Sequence, residues 1–269
     1  MTTTPVGMRC PECSQQRTKV VRLREAATIP RVTYALIAIN VVAFLAEGNF
    51  SFGGQPTSKI YEEGALIGSI HGYPSIGVAH GQWWRIVTGG FLHENLLHIA
   101  FNMYVLYILG TQIEPVLGRV KFAMIYAVAL FTGSLGALIV SPHAITVGAS
   151  GAVFGVMAAF AVEMRSRQIP LMQGGLGGVG GLILINLVIS FTLPGISWGG
   201  HVGGLIGGGL AALIIQLGDR RRVPSLALAA CIVIAALAAV GTVAVAKSSE
   251  PESEPVGVQL PAGVSVPGS

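Results

Sequence analysis

Long apolar runs separated by short polar ones dominate this chain. The runs are Val32–Ala46, Leu92–Ile113, Phe122–Val140, Ser150–Met164, Leu176–Leu193, Gly199–Leu217 and Val223–Ala246. Each approaches the ~20 residues a helix needs to cross a bilayer, so seven membrane spans are expected. Residues 1–31 are polar and basic and hold no apolar stretch of signal-peptide type. The first run, after Pro30-Arg31, should therefore be an uncleaved anchor. Between the first two runs, Glu47–Phe91 carries glycines, prolines and only short apolar pieces. The organisation expected is a cytoplasmic segment over 1–31, a six-span core over 32–218, a seventh span within 219–246 and a tail over 247–269. That tail is acidic and rich in Pro, Val, Gly and Ser, too polar to bury a core and expected to be disordered.

Composition agrees with this pattern. Hydrophobic residues make up 52% of the 269 and charged ones 10%, against about 25% charged in soluble domains. Three cysteines are too few for a disulfide-rich secreted domain, and the polar fraction is too small for a disordered chain. The 37 glycines suit close helix approach in lipid. An all-α polytopic bundle is the expected fold.

The net charge of +4 gains meaning from its placement. Thirteen of the 16 basic residues fall on one side of a seven-span topology: six before the first span, then Arg119, Lys121, Arg165, Arg167 and Arg220 to Arg222. Only Lys59, Arg85 and Lys247 fall opposite. The positive-inside rule puts the N-terminus in the cytoplasm and the C-terminus outside. The basic excess thus explains orientation, and no nucleic-acid partner is expected.

In that topology the second, fourth and sixth spans all run inward from the outer face. Their starts carry the polar residues: His93, Glu94, His98 and Asn102 in the second, Ser150 in Gly148-Ala149-Ser150-Gly151, and His201 in Gly199-Gly200-His201. Polar groups at membrane depth are costly and by default line a cavity. His98 and Asn102, four apart, share a helical face. Ser150 lies fifteen residues before Arg165, about 22 Å at ~1.5 Å per residue. The hydrocarbon core is ~30 Å thick, so this span should begin below the outer surface. Ser141–Ala149 must then be non-helical backbone, tolerated only inside protein or beside water.

A serine needs a base to become a nucleophile, and a neutral histidine is the usual one. Ser150 with His201 supplies that pair. His98, the Asn102 amide and the Ser150 N–H are candidate donors to an oxyanion. Asp219, Glu114 and Glu163 lie at the inner ends of their spans, so a dyad is expected rather than a Ser-His-Asp triad. The serine motif is not the G-x-S-x-G elbow, its second glycine coming one residue early, and no strand precedes it.

Trp84-Arg85, His98-x-x-x-Asn102, Gly148-Ala149-Ser150-Gly151 and His201-Val202-Gly203-Gly204, in this order, resemble the rhomboid intramembrane serine proteases over roughly Arg31–Leu217. The resemblance implies a rhomboid-like six-helix core plus one C-terminal helix, in a bacterial plasma membrane. It implies serine endopeptidase activity on membrane proteins with helix-destabilising transmembrane segments, near the outer boundary of the lipid bilayer. Ser150 would be the nucleophile, His201 the base, and His98 and Asn102 the oxyanion pair. Trp84-Arg85 would lie in a membrane-embedded first loop, Glu114 would be a structural hydrogen-bonding position, and Phe154 stands where many members have a tyrosine stacked on the histidine. A lateral gate would involve the fifth span and the loop 194–200. The rival reading is a catalytically inactive rhomboid-like factor that binds or chaperones membrane proteins. No cofactor and no particular oligomeric state are implied.

Other features read as structural. His93 and His98 are five apart, not the four of paired metal ligands on one helical face, so no metal site is expected there, and His93 and Glu94 should sit near the outer interface and hold water. His71, His80 and His143 should be solvated loop residues. Glycines at 199, 203 and 207 and at 200, 204 and 208 repeat every four residues and give the sixth span a flat face, with the Gly151/Gly155 face of the fourth span as its expected partner. Cys10-Pro11-Glu12-Cys13 has the form of half a zinc knuckle; Cys10 and Cys13 would be the candidate metal ligands, but four are needed and no other Cys or His precedes His71. Redox chemistry, or a remnant of the longer cysteine-rich N-termini of some relatives, are the other readings. Cys231 should be a packing residue.

Overall fold

A computed structural model describes residues 2–4, 7–9, 29–48, 50–52, 58–70, 73, 75–172, 178–193 and 195–250. Its helices are α1 (Arg31–Glu47), α2 (Lys59–Gly64), α3 (Arg85–Thr88), α4 (Leu96–Leu117), α5 (Arg119–Val140), α6 (Ser150–Ser166), α7 (Gly178–Thr192), α8 (Trp198–Arg220) and α9 (Pro224–Ser248). A 3-10 turn occupies Val78–His80, and Thr2–Thr4 pairs antiparallel with Gly7–Arg9. The expected helical bundle is what forms. Cys10, Cys13, His71, Pro194 and the chain from 251 onward lie outside the described residues.

Among the described residues four helices, α4, α5, α8 and α9, are long and apolar enough to cross a membrane, with mean hydropathies of 1.4, 2.1, 1.5 and 2.6. The others expected to span are shorter: 17 residues each for α1 and α6, and 15 for α7. Burial is arranged as lipid demands. Large apolar side chains such as Val42, Phe101, Leu184 and Leu237 face outward, while Asn40, Glu114, Ser134 and Ser190 are buried. The centre is the seam of α5, α6 and α8, filled by Ile125, Val128, Val156, Met157, Ala211 and Ile215, with Leu106 and Ile113 added from α4.

Two boundaries differ from the apolar pattern for local reasons. The second span begins at Leu96 rather than Leu92, because the extended Asn95 caps the helix and its side chain accepts the His98 N–H at 2.9 Å. It ends at Leu117, where Gly118 takes a positive φ of 84°. The last helix runs to Ser248, two residues into the stretch expected to be tail, and Glu250 Oε1 lies 3.0 Å from His80 Nε2. His80 is accordingly half-buried beside a carboxylate, not simply solvated, whereas His143 is exposed.

The start of α1 is tied to the end of α4. Pro30, the residue before α1, makes no capping bond; instead the Glu114 carboxyl accepts the Val32 N–H at 2.9 Å, the Thr33 N–H at 2.7 Å and the Thr33 hydroxyl at 2.7 Å. These satisfy donors that a helix start leaves without partners. With Glu114 fully buried, Glu114→Ala should destabilise the fold by about 2 kcal/mol, since buried donors lose their acceptor. A fall in the thermal unfolding midpoint of the detergent-solubilised protein checks this. At the same end of the bundle, Lys121 donates to both Asp219 oxygens at 2.6 and 2.7 Å, joining α5 to α8.

Candidate active site

The segment before α6 is non-helical, and the loop after α1 supplies its partners. Leu66 and Thr146 exchange backbone hydrogen bonds at 3.0 and 2.8 Å, the Gly68 N–H donates to Pro142 O at 2.8 Å, and the Gly148 N–H donates to Gly89 O at 2.9 Å. That loop is itself held from inside. Arg85 is buried and donates to Glu62 O and Ala65 O at 2.8 and 2.7 Å and to Gln82 Oε1 at 2.6 Å, while the Trp84 indole N–H donates to Glu63 O at 2.9 Å. The backbone around residue 148 thus has protein partners where water would otherwise be needed.

Gly148 has φ of 118°, a conformation that L side chains rarely adopt, and it turns the chain into α6 with Ser150 as the first helical residue. No side chain caps this helix, so its first N–H groups point forward without helical partners. His201 is held in the first turn of α8, where the Ser197 hydroxyl accepts the Gly200 N–H at 3.3 Å. Ser150 Oγ lies 2.7 Å from His201 Nε2. His201 is buried and Ser150 half-buried, and both line a small pocket together with Gly89, Gly148, Gly151 and Ser197.

Glycine packing makes this approach possible. A side chain at Gly204 would run into the Gly151 carbonyl, and one at Gly208 into Gly155. This is the expected match between α8 and α6. The row 199, 203 and 207, expected on the same partner, packs on α5 instead: Gly199 meets Gly136, and Gly203 and Gly207 meet Thr132. Small residues on α5, Thr132, Gly133 and Gly136, were the available signal.

His98 and Asn102 approach from α4. A Cβ built on Gly148 would stand 2.6 Å from His98 Nε2 and 3.7 Å from Asn102 Nδ2, so both side chains border the residue two before Ser150. Among the described residues, the buried Asn102 Nδ2 has no hydrogen-bond partner. His93, expected at a watery interface, is instead fully buried. Its N–H donates to Glu47 Oε1 at 3.2 Å and its ring packs edge-on against His98 with centroids 5.1 Å apart. The Asn95 cap is the reason: with the helix starting at Leu96, residue 93 belongs to the incoming turn beneath the end of α1.

Two further groups contact His201. The Phe154 ring stacks on it, with centroids 4.3 Å apart and planes at 20°. The Ser190 hydroxyl, which the sequence reading passed over, lies 2.6 Å from His201 Nδ1; a lone serine in the apolar run of α7 was its signal. Phe154→Ala should lower any His201-dependent rate by roughly tenfold, the equivalent of a lost aromatic pair. Phe154→Tyr should leave it within about threefold, and the rate of labelling by a serine-directed fluorophosphonate checks both.

The family model described as "Rhomboid domain" matches residues 80–217, just over half of the 269-residue chain. The Rhomboid protease GluP of Bacillus subtilis (strain 168) is 36% identical over 190 residues, covering 70% of this chain and 35% of that protein. YdcA of the same strain is 31% identical over 155 residues, covering 57% and 77%. RHOMBOID-like protein 7 of Arabidopsis thaliana is 31% identical over 180 residues, covering 63% and 55%. The match therefore spans about a third of GluP and about half of the Arabidopsis protein. This chain, with its long apolar helices, is a multi-pass membrane protein and belongs to the rhomboid family.

Proposed function

We propose that this protein is an intramembrane serine endopeptidase working through a Ser150–His201 dyad. The observation that carries this reading is the 2.7 Å contact between Ser150 Oγ and His201 Nε2 at the wall of the pocket. The relatives named rhomboid protease support it. Ser150 Oγ attacks the scissile carbonyl carbon while its proton passes to His201 Nε2. The oxyanion is held by the Ser150 N–H at the open start of α6, the Asn102 amide and His98. The His201 proton then goes to the leaving amine, and water activated by the same imidazole releases the acyl group.

The carbonyls of an intact helix are already hydrogen-bonded, so the substrate has to present extended backbone. Transmembrane segments with helix-weakening residues near the outer boundary fit this need, with a small residue before the cut. Entry is lateral, past α7 and the loop 194–200. The seven apolar helices all cross a bacterial plasma membrane, with the N-terminus cytoplasmic and the C-terminus outside. At ~1.5 Å per residue the 17-residue α6 is about 25 Å long; starting below the outer surface, it reaches the inner boundary at Arg165. The pairing of serine and imidazole speaks against an inactive membrane-protein chaperone.

The test is labelling of the purified protein by a fluorophosphonate, with the modified peptide mapped by mass spectrometry. Modification at Ser150 is the expected result. Absence of any labelling, in protein that retains its thermal transition, would overturn the proposal.

A further inference from the structure

Helix α7 buries only three of its fifteen residues, Val179, Gly181 and Ser190, while Leu184, Val188 and Phe191 face outward. A hydroxyl buried at that depth needs partners. Ser190 has two: its Oγ lies 2.6 Å from the Asn186 carbonyl one turn back and 2.6 Å from His201 Nδ1. A serine hydroxyl carries one hydrogen, and a carbonyl oxygen can only accept. The hydrogen therefore goes to Asn186 O, leaving a lone pair of Ser190 to accept from His201 Nδ1–H. In a neutral imidazole protonated at Nδ1, Nε2 is bare, and it faces Ser150 Oγ at 2.7 Å.

We propose that Ser190 is a positioning residue for the reaction assigned above, on which this inference rests: it holds His201 in the tautomer and ring orientation that let Nε2 take the Ser150 proton. Phe154 does not do this alone. Stacking fixes the plane of the imidazole, but a half-turn about Cβ–Cγ keeps that plane while exchanging Nδ1 for Cδ2 and Nε2 for Cε1. Only a partner at Nδ1 distinguishes the two orientations. During attack the Ser150 proton passes to Nε2 and the ring becomes imidazolium. Ser190 remains neutral, gives up no proton, and keeps accepting from Nδ1–H, a bond that strengthens as its donor becomes charged. It thus fills the orienting place of a triad acid without the counter-charge.

Cleavage of a transmembrane substrate in proteoliposomes by wild type, Ser190→Ala and Ser190→Thr tests this. Ser190→Ala should lower kcat about tenfold with KM within about twofold, the scale of one neutral hydrogen bond. Ser190→Thr should recover to within about threefold, because its hydroxyl can also bond the carbonyl one turn back. Unchanged kcat in Ser190→Ala, a loss carried only by KM, or a threonine variant as slow as alanine would overturn the proposal. A readout independent of turnover separates this from failure of the protease reading. In 15N-histidine-labelled wild type, with the His201 signal identified by its loss in His201→Gln, the proton should reside on Nδ1 and the Ser190→Ala spectrum should change. A proton on Nε2 in wild type overturns the role of Ser190 even if the protein cleaves. Failure to cleave with Nδ1 protonated counts against the protease reading alone.

Discussion

Ser150→Ala should reduce both fluorophosphonate labelling and cleavage of a transmembrane substrate to background, a loss of about 10^4-fold or more. The reasoning is chemical: alanine leaves His201 with no hydroxyl to deprotonate, so the covalent route disappears rather than slows. His201→Ala should cost nearly as much, because an unassisted serine hydroxyl is a poor nucleophile at neutral pH. The double variant should be no slower than either single one, since groups that act as one unit are strongly non-additive. Stability should barely change in Ser150→Ala. The residue stands at the first position of α6 without a side-chain cap, and among the described residues its hydroxyl bonds only His201. Activity above about 1% of wild type in a folded Ser150→Ala protein would sink the dyad. Assays in proteoliposomes, with the thermal midpoint measured alongside, provide both numbers.

The helical bundle was legible in the chain because lipid leaves few options: apolar runs near 20 residues long form helices, since no other open structure satisfies its backbone there. The start of α6 was legible for a sharper reason, as Ser150 begins both the apolar run and the helix. The start of α4 was not. His93 lies inside the apolar run, but the competing signal was Asn95, whose side chain accepts the His98 N–H, starts the helix at Leu96 and leaves Leu92 and His93 in a buried approach to it. Ser150, His201, His98 and Asn102 were singled out as polar groups at the starts of like-directed helices, and these side chains do converge around residue 148. Ser190 escaped that logic. It lies near the far end of α7 in the chain, on a helix running the other way, so its nearness to His201 depends on how α7 and α8 pack rather than on a shared helix start. The α5 partner of the glycine row 199, 203 and 207 was hidden likewise, because Thr132 looks like an ordinary member of an apolar run until Gly203 and Gly207 are laid against it.

That packing leads to the second large effect, at a residue touching no substrate. Gly204→Val should abolish more than 99% of the activity of wild type, about 10^2-fold or more, and lower the unfolding free energy by about 3 kcal/mol or more. Gly204 faces the Gly151 carbonyl so closely that its Cβ alone would clash with backbone, which has no rotamer to escape into. Helix α8 must then retreat from α6. Because His201 lies less than one turn before Gly204 and Ser150 is adjacent to Gly151, the retreat acts directly on the 2.7 Å contact. A displacement of only ~1 Å at a reacting pair costs on the order of 10^2 in rate. Gly204→Ala should show the same direction with a smaller loss. Gly209→Ala is the matched control: its added carbon would meet only the Ala158 side chain at 3.5 Å, an ordinary contact. Labelling rates and thermal midpoints of the three variants distinguish the outcomes. If Gly204→Val were as active and stable as Gly209→Ala, the close backbone contact between α6 and α8 could not be what holds serine and imidazole together.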